Sequence, residues 1–372
     1  MELIVFFTYG ISLRKWEKSG LLDREIKLYR YLNEKFDIQF TFVTYGNEDD
    51  LHFESLIDGL KIIPIYMYSK NSNYKFINLI NSFLFPFKLK RILPPKKYIL
   101  KTNQMYGSWV AIVYKLITKL PLILRTGYDL FSFSIKQKKS KLKQFFYYVL
   151  TTLALNLSDI YISTSKNDID FLKKYFIFKK NKIYYIPNWV QTKDVIEINK
   201  RSQNVISVGR LEKQKDFEYL INSFISSKII LHIFGEGSEK SSLEKMVGQN
   251  SNISLLSTIP NEELITKYGE YQIYVSTSDY EGNSKTILEA MGAGCVVIIP
   301  DIKNNIELVT NYKNGILYNK KTDNLQKIII NTLLDSTLKK EISKNSIKQI
   351  EENNSLEVVS LLEVNCYQYF LK

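Results

Sequence analysis

Residues 272–299 read Gln-Ile-Tyr-Val-Ser-Thr-Ser-Asp-Tyr-Glu-Gly-Asn-Ser-Lys-Thr-Ile-Leu-Glu-Ala-Met-Gly-Ala-Gly-Cys-Val-Val-Ile-Ile. The apolar run 273–275 has the length of a short buried strand. Residues 276–282 are rich in turn formers, and Asp279, Asn283 and Ser284 are favoured helix N-caps. A compact helix is expected over 286–291, closed by Gly292 and Gly294, and 295–299 reads as the next buried strand. Two carboxylates flank the entry to that helix, Glu281 just before it and Glu289 inside it. Gly282 lets a ligand come close to the backbone. The N–H groups over Ser284, Lys285 and Thr286 form an anion site at the helix start. A phosphate there, with a carboxylate on each side to accept sugar or ribose hydroxyls, describes a nucleotide-sugar pocket. Two glutamates at this spacing are, on their own, most often solvated; the glycine and cap residues between them favour the pocket.

Two upstream segments suit the same chemistry. Ser207-Val-Gly-Arg-Leu-Glu-Lys-Gln-Lys-Asp-Phe217 sets Arg210 and Lys215 on the loop after a strand, where two cations fit a diphosphate. His232-Ile-Phe-Gly-Glu-Gly237 ends another strand in a Gly-x-Gly turn. With these in order, Glu281-Gly-Asn-Ser-Lys and Glu289-Ala-Met-Gly-Ala-Gly resemble the E-G-x-x-x-x-x-x-E-A-M-x-x-G signature of the family 4 retaining glycosyltransferases. Those enzymes belong to the glycosyl transferases group 1, and this chain is similar to the bacterial surface-polysaccharide type. The segment 207–217 is similar to the family's V-G-R-L-x-x-x-K-[GD]-[FL]. The resemblance is sharp over 205–320 and looser before it.

The resemblance implies an α/β chain of GT-B fold, two facing Rossmann-like domains with an interdomain cleft. Residues 1–195 would form the acceptor-side domain and 196–355 the nucleotide-sugar domain, with a helix over 356–372 crossing back to the first. It implies sugar transfer from a nucleoside-diphosphate sugar to an acceptor hydroxyl, with retention at the anomeric carbon and without metal or cofactor. Arg210, Lys215 and the N–H groups before Thr286 would stabilise the leaving diphosphate. Glu281 would contact the donor sugar and is the foremost catalytic candidate, and Glu289 would hold the ribose hydroxyls. Gly10, Gly282, Asn283, Ser284 and Lys285 complete the expected donor-binding set. No side chain reads as a covalent nucleophile.

The chain has 372 residues, which suits two domains of ordinary size, and its 45% hydrophobic content is enough for real cores. No run of eighteen apolar residues occurs, so no transmembrane helix is expected, and the apolar start lacks the basic region and cleavage site of a signal peptide. The two cysteines, Cys295 and Cys366, sit in apolar patterns and read as buried thiols in a reducing compartment. His52 and His232 are the only histidines, so metal-ligand spacing is absent, and His232 reads as a packed strand residue. The net charge of +13 is lopsided: residues 1–187 carry 30 Lys and Arg against 15 Asp and Glu. Between Asp58 and Asp159 there are 17 basic residues and one acid, Asp129, so the first half is built to face anions.

That half alternates strand, helix and strand (3–8, 20–35, 38–43, 60–65), the pattern of a doubly wound parallel sheet. Ligands bind such sheets at the carboxyl ends of the strands, which makes the turn at Gly10 a candidate cleft wall. Over 74–100, aromatic and aliphatic residues precede Lys88, Lys90, Arg91, Lys96 and Lys97, with Pro94-Pro95 closing the segment. This suits an interfacial segment on an anionic membrane. A core helix with a solvated basic end is the alternative, and nucleic acid ranks third because no binding motif for it appears. Asn103 and Gln104 lie just past a strand at 98–101. Arg125-Thr-Gly-Tyr128 follows another and resembles the R-x-G-Y segment of some bacterial members. These four residues are acceptor-side candidates, with plain turn chemistry as the alternative for the last segment. The histidine that many family members carry near this point is missing here. The run 136–143 reads as a solvated basic segment, followed by an aromatic-rich helix over 142–157. Pro187-Asn-Trp-Val190 is similar to the family's I-P-N-G-V segment, with Trp189 in place of glycine, and 191–202 reads as a linker.

The expected partners are a nucleotide-sugar donor, a glycan or glycolipid acceptor such as a lipid-linked or lipopolysaccharide precursor, and an anionic membrane surface, with no nucleic acid. The expected place is the cytoplasm, peripheral at the inner face of the membrane. A nucleotide-sugar epimerase of the same fold and a non-catalytic binding protein are the competing classes. The missing histidines and carboxylates of the first half weigh against the epimerase.

Overall fold

In the computed structural model, strands and helices alternate along the chain and close into two parallel sheets; all residues are described except 95, 180–181, 193–195 and 371–372. Pro95 and part of the 191–202 linker thus lie outside the described residues. The first sheet draws on β1 (Glu2–Phe6), β2 (Gln39–Thr44), β3 (Lys61–Pro64), β4 (Ile99–Thr102), β5 (Leu122–Thr126), β6 (Ile160–Ser163) and β7 (Ile183–Tyr185), in the order β3-β2-β1-β4-β5-β6-β7. Its helices are α1 (Leu13–Lys18), α2 (Leu22–Phe36), α3 (Ile65–Tyr68), α4 (Lys75–Ile92), α5 (Trp109–Thr118), α6 (Leu130–Lys136), α7 (Lys141–Leu157) and α8 (Lys166–Tyr175). Both faces of such a sheet are covered, so its strands are near-continuous apolar runs: Leu3 to Phe6, Leu100 and Leu122–Leu124 are all buried.

The second sheet has the order β10-β9-β8-β11-β12-β13. Its strands are β8 (Ser202–Val208), β9 (Leu231–Phe234), β10 (Ile253–Leu256), β11 (Tyr271–Val275), β12 (Val296–Pro300) and β13 (Ile316–Tyr318). They alternate with α9 (Phe217–Asn222), α10 (Lys240–Val247), α11 (Asn261–Tyr268), α12 (Lys285–Gly292) and α13 (Lys303–Leu308). Then α14 (Leu325–Leu334), α15 (Ser336–Asn353) and α16 (Leu356–Gln368) end the chain.

Two compact units result: Met1–Ile186 with the chain from Ser360 onward, and Pro187–Val359. The division comes before the 195/196 boundary read from sequence. Hydrogen bonding explains the difference. The Val190 N–H donates to the Asn354 carbonyl at 2.9 Å, and the Asn188 N–H donates to Asn283 Oδ1 at 2.9 Å, so this segment is already part of the second unit.

The central stretch folds as expected, strand–turn–helix–strand, with α12 one residue longer at each end than the sequence pattern suggests. The helix expected from residue 20 begins at Leu22 and ends at Asp37 in the left-handed conformation. A short α1 before it was not legible, since six residues are too few to show a period. It stands on caps: Ser12 Oγ accepts the Lys15 N–H at 3.2 Å, and buried Asp50 accepts those of Leu13 and Arg14.

One interior cluster in the first unit was invisible in the sequence. Lys101 on β4 donates to Glu363 Oε2 at 2.6 Å and to the Tyr367 hydroxyl at 2.8 Å, both on α16. Burial opposes the Glu363 charge, but Lys101 and Arg125 outweigh it and hold the carboxyl below its usual range. This pins the end of α16 to the centre of the first sheet.

Candidate active site

The second unit gathers most of the expected donor residues at the carboxyl ends of β8, β9 and β11. Helix α12 begins after β11. Its first internal bond runs from the Leu288 N–H to the Ser284 carbonyl at 3.1 Å, so the N–H groups of the preceding turn point out of the helix start. Ser284 Oγ lies 3.2 Å from Thr286 Oγ1, which also receives the buried Tyr274 hydroxyl at 3.2 Å. Glu281 is buried just ahead of this turn, and Lys215 Nζ donates to its Oε1 at 2.5 Å. The sequence presents these as two separate ligand contacts. The structure makes them one ion pair, with side chains only 14% and 7% exposed.

The loop bearing Arg210 and Lys215 is stitched to the loop bearing Glu281. Gln214 Nε2 donates to the Tyr280 carbonyl at 2.8 Å, the Asp279 N–H donates to the Gln214 carbonyl at 3.0 Å, and Thr277 Oγ1 donates to the Lys215 carbonyl at 2.9 Å. Lys320, after β13, clips both loops by ion pairs to Asp216 and Asp279. Burial disfavours its charge, but the two carboxylates outweigh this and raise its pKa. Arg210 is different. It is exposed, and among the described residues its guanidinium makes no hydrogen bond or ion pair. Of the two expected cations, Arg210 is therefore the one open to an incoming anion.

Asn283 is committed to Asn188, whose amide Nδ2 also donates to the Asn283 carbonyl at 2.7 Å. Glu289 is buried within α12 and accepts from Asn261 Nδ2 at 3.0 Å. The Gly-x-Gly turn after β9 serves packing. A Cβ at Gly235 would sit 2.0 Å from the Gly209 carbonyl oxygen, and one at Gly237 2.3 Å from that of Leu211, so both glycines let β9 come up against the Arg210 loop. His232 is half-buried with Nδ1 2.6 Å from the Tyr271 hydroxyl, and burial, then Lys267, lowers its pKa.

The remaining candidates belong to the first unit. Arg125 turns inward, its Nε 3.6 Å from Glu363 Oε1, so the side chain serves the buried cluster. Gln104 Oε1 accepts the Gly127 N–H at 2.8 Å and fastens the loop after β5 to the loop after β4. The Asn103 N–H donates to the Phe6 carbonyl at 2.9 Å. Tyr128 stacks on Phe133 with ring centroids 4.3 Å apart and keeps an exposed edge. Gly10 has φ +73° and open space where a side chain would be.

Residues 191–349 match the family model described as glycosyl transferases group 1. Over 318 residues the chain is 29% identical to the O-antigen biosynthesis glycosyltransferase WbnH of Escherichia coli, covering 85% of this chain and 87% of that one. Residues 191–349 of the chain are therefore similar to the glycosyl transferases group 1. The chain is also 29% identical over 175 residues to the GtfA subunit of a UDP-N-acetylglucosamine–peptide N-acetylglucosaminyltransferase from Streptococcus agalactiae. That match covers 44% of this chain and only 34% of the relative. Among solved structures, Anabaena HepE in complex with UDP superposes with a TM-score of 0.73 at 14% identity, over 99% of this chain and 100% of that one. The likeness shows a shared GT-B fold.

Several residues of the chain escaped sequence reasoning. Asn261 follows Pro260 at a helix start, an available signal. Lys320 lies far from both loops it joins and gave none. Asp129 caps α6, accepting the Ser132 N–H at 2.6 Å, and also accepts from Thr151 Oγ1 at 3.3 Å. Burial pushes its carboxyl up to about 7, against the Ser132 bond and helped by nearby Asp168.

Proposed function

We propose that this glycosyltransferase moves a sugar from a nucleoside-diphosphate sugar to a hydroxyl of a lipid-linked or membrane-associated glycan, with retention, in the assembly of a surface polysaccharide or lipopolysaccharide. The observation that carries it is the convergence of unpartnered Arg210, the Lys215–Glu281 pair and the start of α12 on one edge of one sheet. Negative charge builds on the diphosphate as the sugar leaves, and fixed cations and N–H dipoles aimed at it lower that barrier. Arg210 and the first turn of α12 do this, and Lys215 holds Glu281 in place to accept a hydroxyl of the donor sugar. Glu289, steadied by Asn261, takes the ribose hydroxyls. Acting together, Arg210 and the helix start supply the charge stabilisation without a metal.

The UDP in HepE and the O-antigen role of WbnH support the donor class and the glycan setting. A peripheral place on an anionic membrane, at its cytoplasmic face, is supported by the basic first unit and by the apolar side chains exposed on α4 and α7. Among the described residues, no helix is long and apolar enough to cross a membrane.

The test is a panel of UDP-, GDP- and ADP-sugars incubated with purified protein in chelator, following nucleoside diphosphate release. One donor should be turned over by wild type and by neither Arg210→Ala nor Glu281→Ala. Turnover undiminished in both variants would sink the assignment.

A further inference from the structure

Lys320 stands just past the end of β13, on the edge of the second sheet, two strands from β11 and three from β8. Its ammonium nevertheless holds the loops after both of those strands. It pairs with Asp216 and with Asp279, the latter at 2.6 Å, and donates to the Thr277 carbonyl at 3.0 Å. An ammonium carries three hydrogens, and these three acceptors use all of them. The Tyr219 ring covers a further side, its centroid 5.1 Å from Nζ. Lys320 is therefore a saturated cation with nothing left to offer a ligand, whereas Arg210 is an open one.

The side chain stands on a fixed post. The buried Tyr318 hydroxyl donates to the Ser276 carbonyl at 3.1 Å, and the Asn319 N–H donates to Asp323 Oδ2 at 2.8 Å. The acids that Lys320 holds adjoin the Lys215–Glu281 pair: Asp216 follows Lys215 directly, and Asp279 comes two residues before Glu281. Thr277, the third acceptor, has Oγ1 at 2.9 and 3.0 Å from the Lys215 and Asp216 carbonyls. Asp216 lies in the left-handed region at φ +45° and caps α9, accepting the Tyr219 N–H at 3.3 Å. Any shift of Asp216 is therefore passed to the peptide that carries Lys215. Without the ammonium, two carboxylates would face each other across these loops, and their repulsion would part them.

We infer that Lys320 is a positioning residue of the transfer reaction. From the edge strand it sets Lys215 and Glu281 where the donor sugar meets them, so it governs turnover of a nucleotide sugar and not the hold on a bare diphosphate. The diphosphate contacts assigned to Arg210 lie outside this clip. The inference rests on the transferase reading and adds to it a residue that touches no substrate.

Two variants of the full chain test it: Lys320→Met keeps an unbranched stem and removes the charge, and Lys320→Arg keeps the charge. With the nucleotide sugar that wild type turns over, Lys320→Met should lower kcat about 10- to 100-fold, the scale of a small misplacement. Its Kd for the bare nucleoside diphosphate should change about twofold or less. Lys320→Arg should recover most of kcat. In a Glu281→Gln background, Lys320→Met should lower kcat about twofold or less, because a residue that acts through Glu281 has nothing left to position. Adding Asp216→Asn and Asp279→Asn to Lys320→Met should regain about threefold or more, since the repulsion goes while asparagine keeps the cap and the left-handed turn. A second readout needs no donor: in hydrogen exchange, peptides over 209–217 and 276–284 should exchange about tenfold or more faster in Lys320→Met than in wild type or Lys320→Arg. A kcat kept by Lys320→Met, an equal fall with and without Glu281, or unchanged exchange in both loops would overturn the inference. If wild type turns over no donor while Lys320→Met still loosens both loops, the transferase reading fails and the clip stands.

Discussion

The two sets of strand ends are built in opposite ways. In the second unit, the loops after β8 and β11 are joined by hydrogen bonds and the Lys320 clip, and exposed Arg210 is left open. In the first unit, the loops after β1 to β4 meet through rings, and the charges nearby are turned into the interior. The contrast follows from what each could bind. A diphosphate is held by dipoles fixed in advance, which lose their value if they must reorganise. An apolar chain is held by area, which needs surface more than aim.

The largest expected effect tests whether the first unit's charges are structural. Glu363→Gln leaves Lys101, 1% exposed, and Arg125 without their carboxylate, so stability should fall by about 3–5 kcal/mol in a denaturant titration. A loss under about 1 kcal/mol would show the cluster to be dispensable and return Arg125 to the ligand candidates. Next, Arg210→Ala should cut kcat/KM by about 10²–10³. Because the side chain is exposed and unpartnered, its melting should stay within about 0.5 kcal/mol of wild type. A matching loss of stability would place Arg210 in the scaffold and erase the contrast. Gly235→Ala should cost about 1–3 kcal/mol or more, because a backbone carbonyl occupies the space a methyl needs. An unperturbed variant would mean the two loops are not locked.

The smallest effect sharpens the comparison from the first unit's side. Asp129 has its carboxyl raised to about 7 by burial, so its neutral form is the one the fold prefers. Stability from this group is therefore present at acid pH and lost as pH rises through about 7. Wild type should lose on the order of 1–3 kcal/mol between roughly pH 5 and pH 8. Asp129→Asn keeps an acceptor for Ser132 and should flatten the profile. An unchanged slope in that variant would assign the titration elsewhere.

What was legible in the sequence was local. Glu281, Glu289 and their glycines lie within one strand–turn–helix, so spacing alone put them at a helix start. Arg210 and Lys215 lay within one loop and read equally well. Contacts across long separations were not legible. Nothing in the neighbourhood of Lys101 announces Glu363, nor does the Arg125 segment show that its side chain points inward. The Lys215–Glu281 pair was half legible: both residues stood out, but their mutual attraction depends on how two loops fold together. The basic run at 136–143 read as solvated and is exposed throughout, whereas the packing of Phe146 on α7 against Trp109 was not legible.

The most direct measurement is the binding of nucleoside diphosphates without sugar or acceptor. Wild type, Arg210→Ala and Phe83→Ser/Phe146→Ser would each be titrated calorimetrically with UDP, GDP and ADP. One diphosphate should bind wild type and raise its melting temperature as concentration increases. The same diphosphate should bind Arg210→Ala about tenfold or more weakly, and Phe83→Ser/Phe146→Ser as tightly as wild type. If no diphosphate binds, or Arg210→Ala binds as well as wild type, the second unit's strand ends are not the donor site.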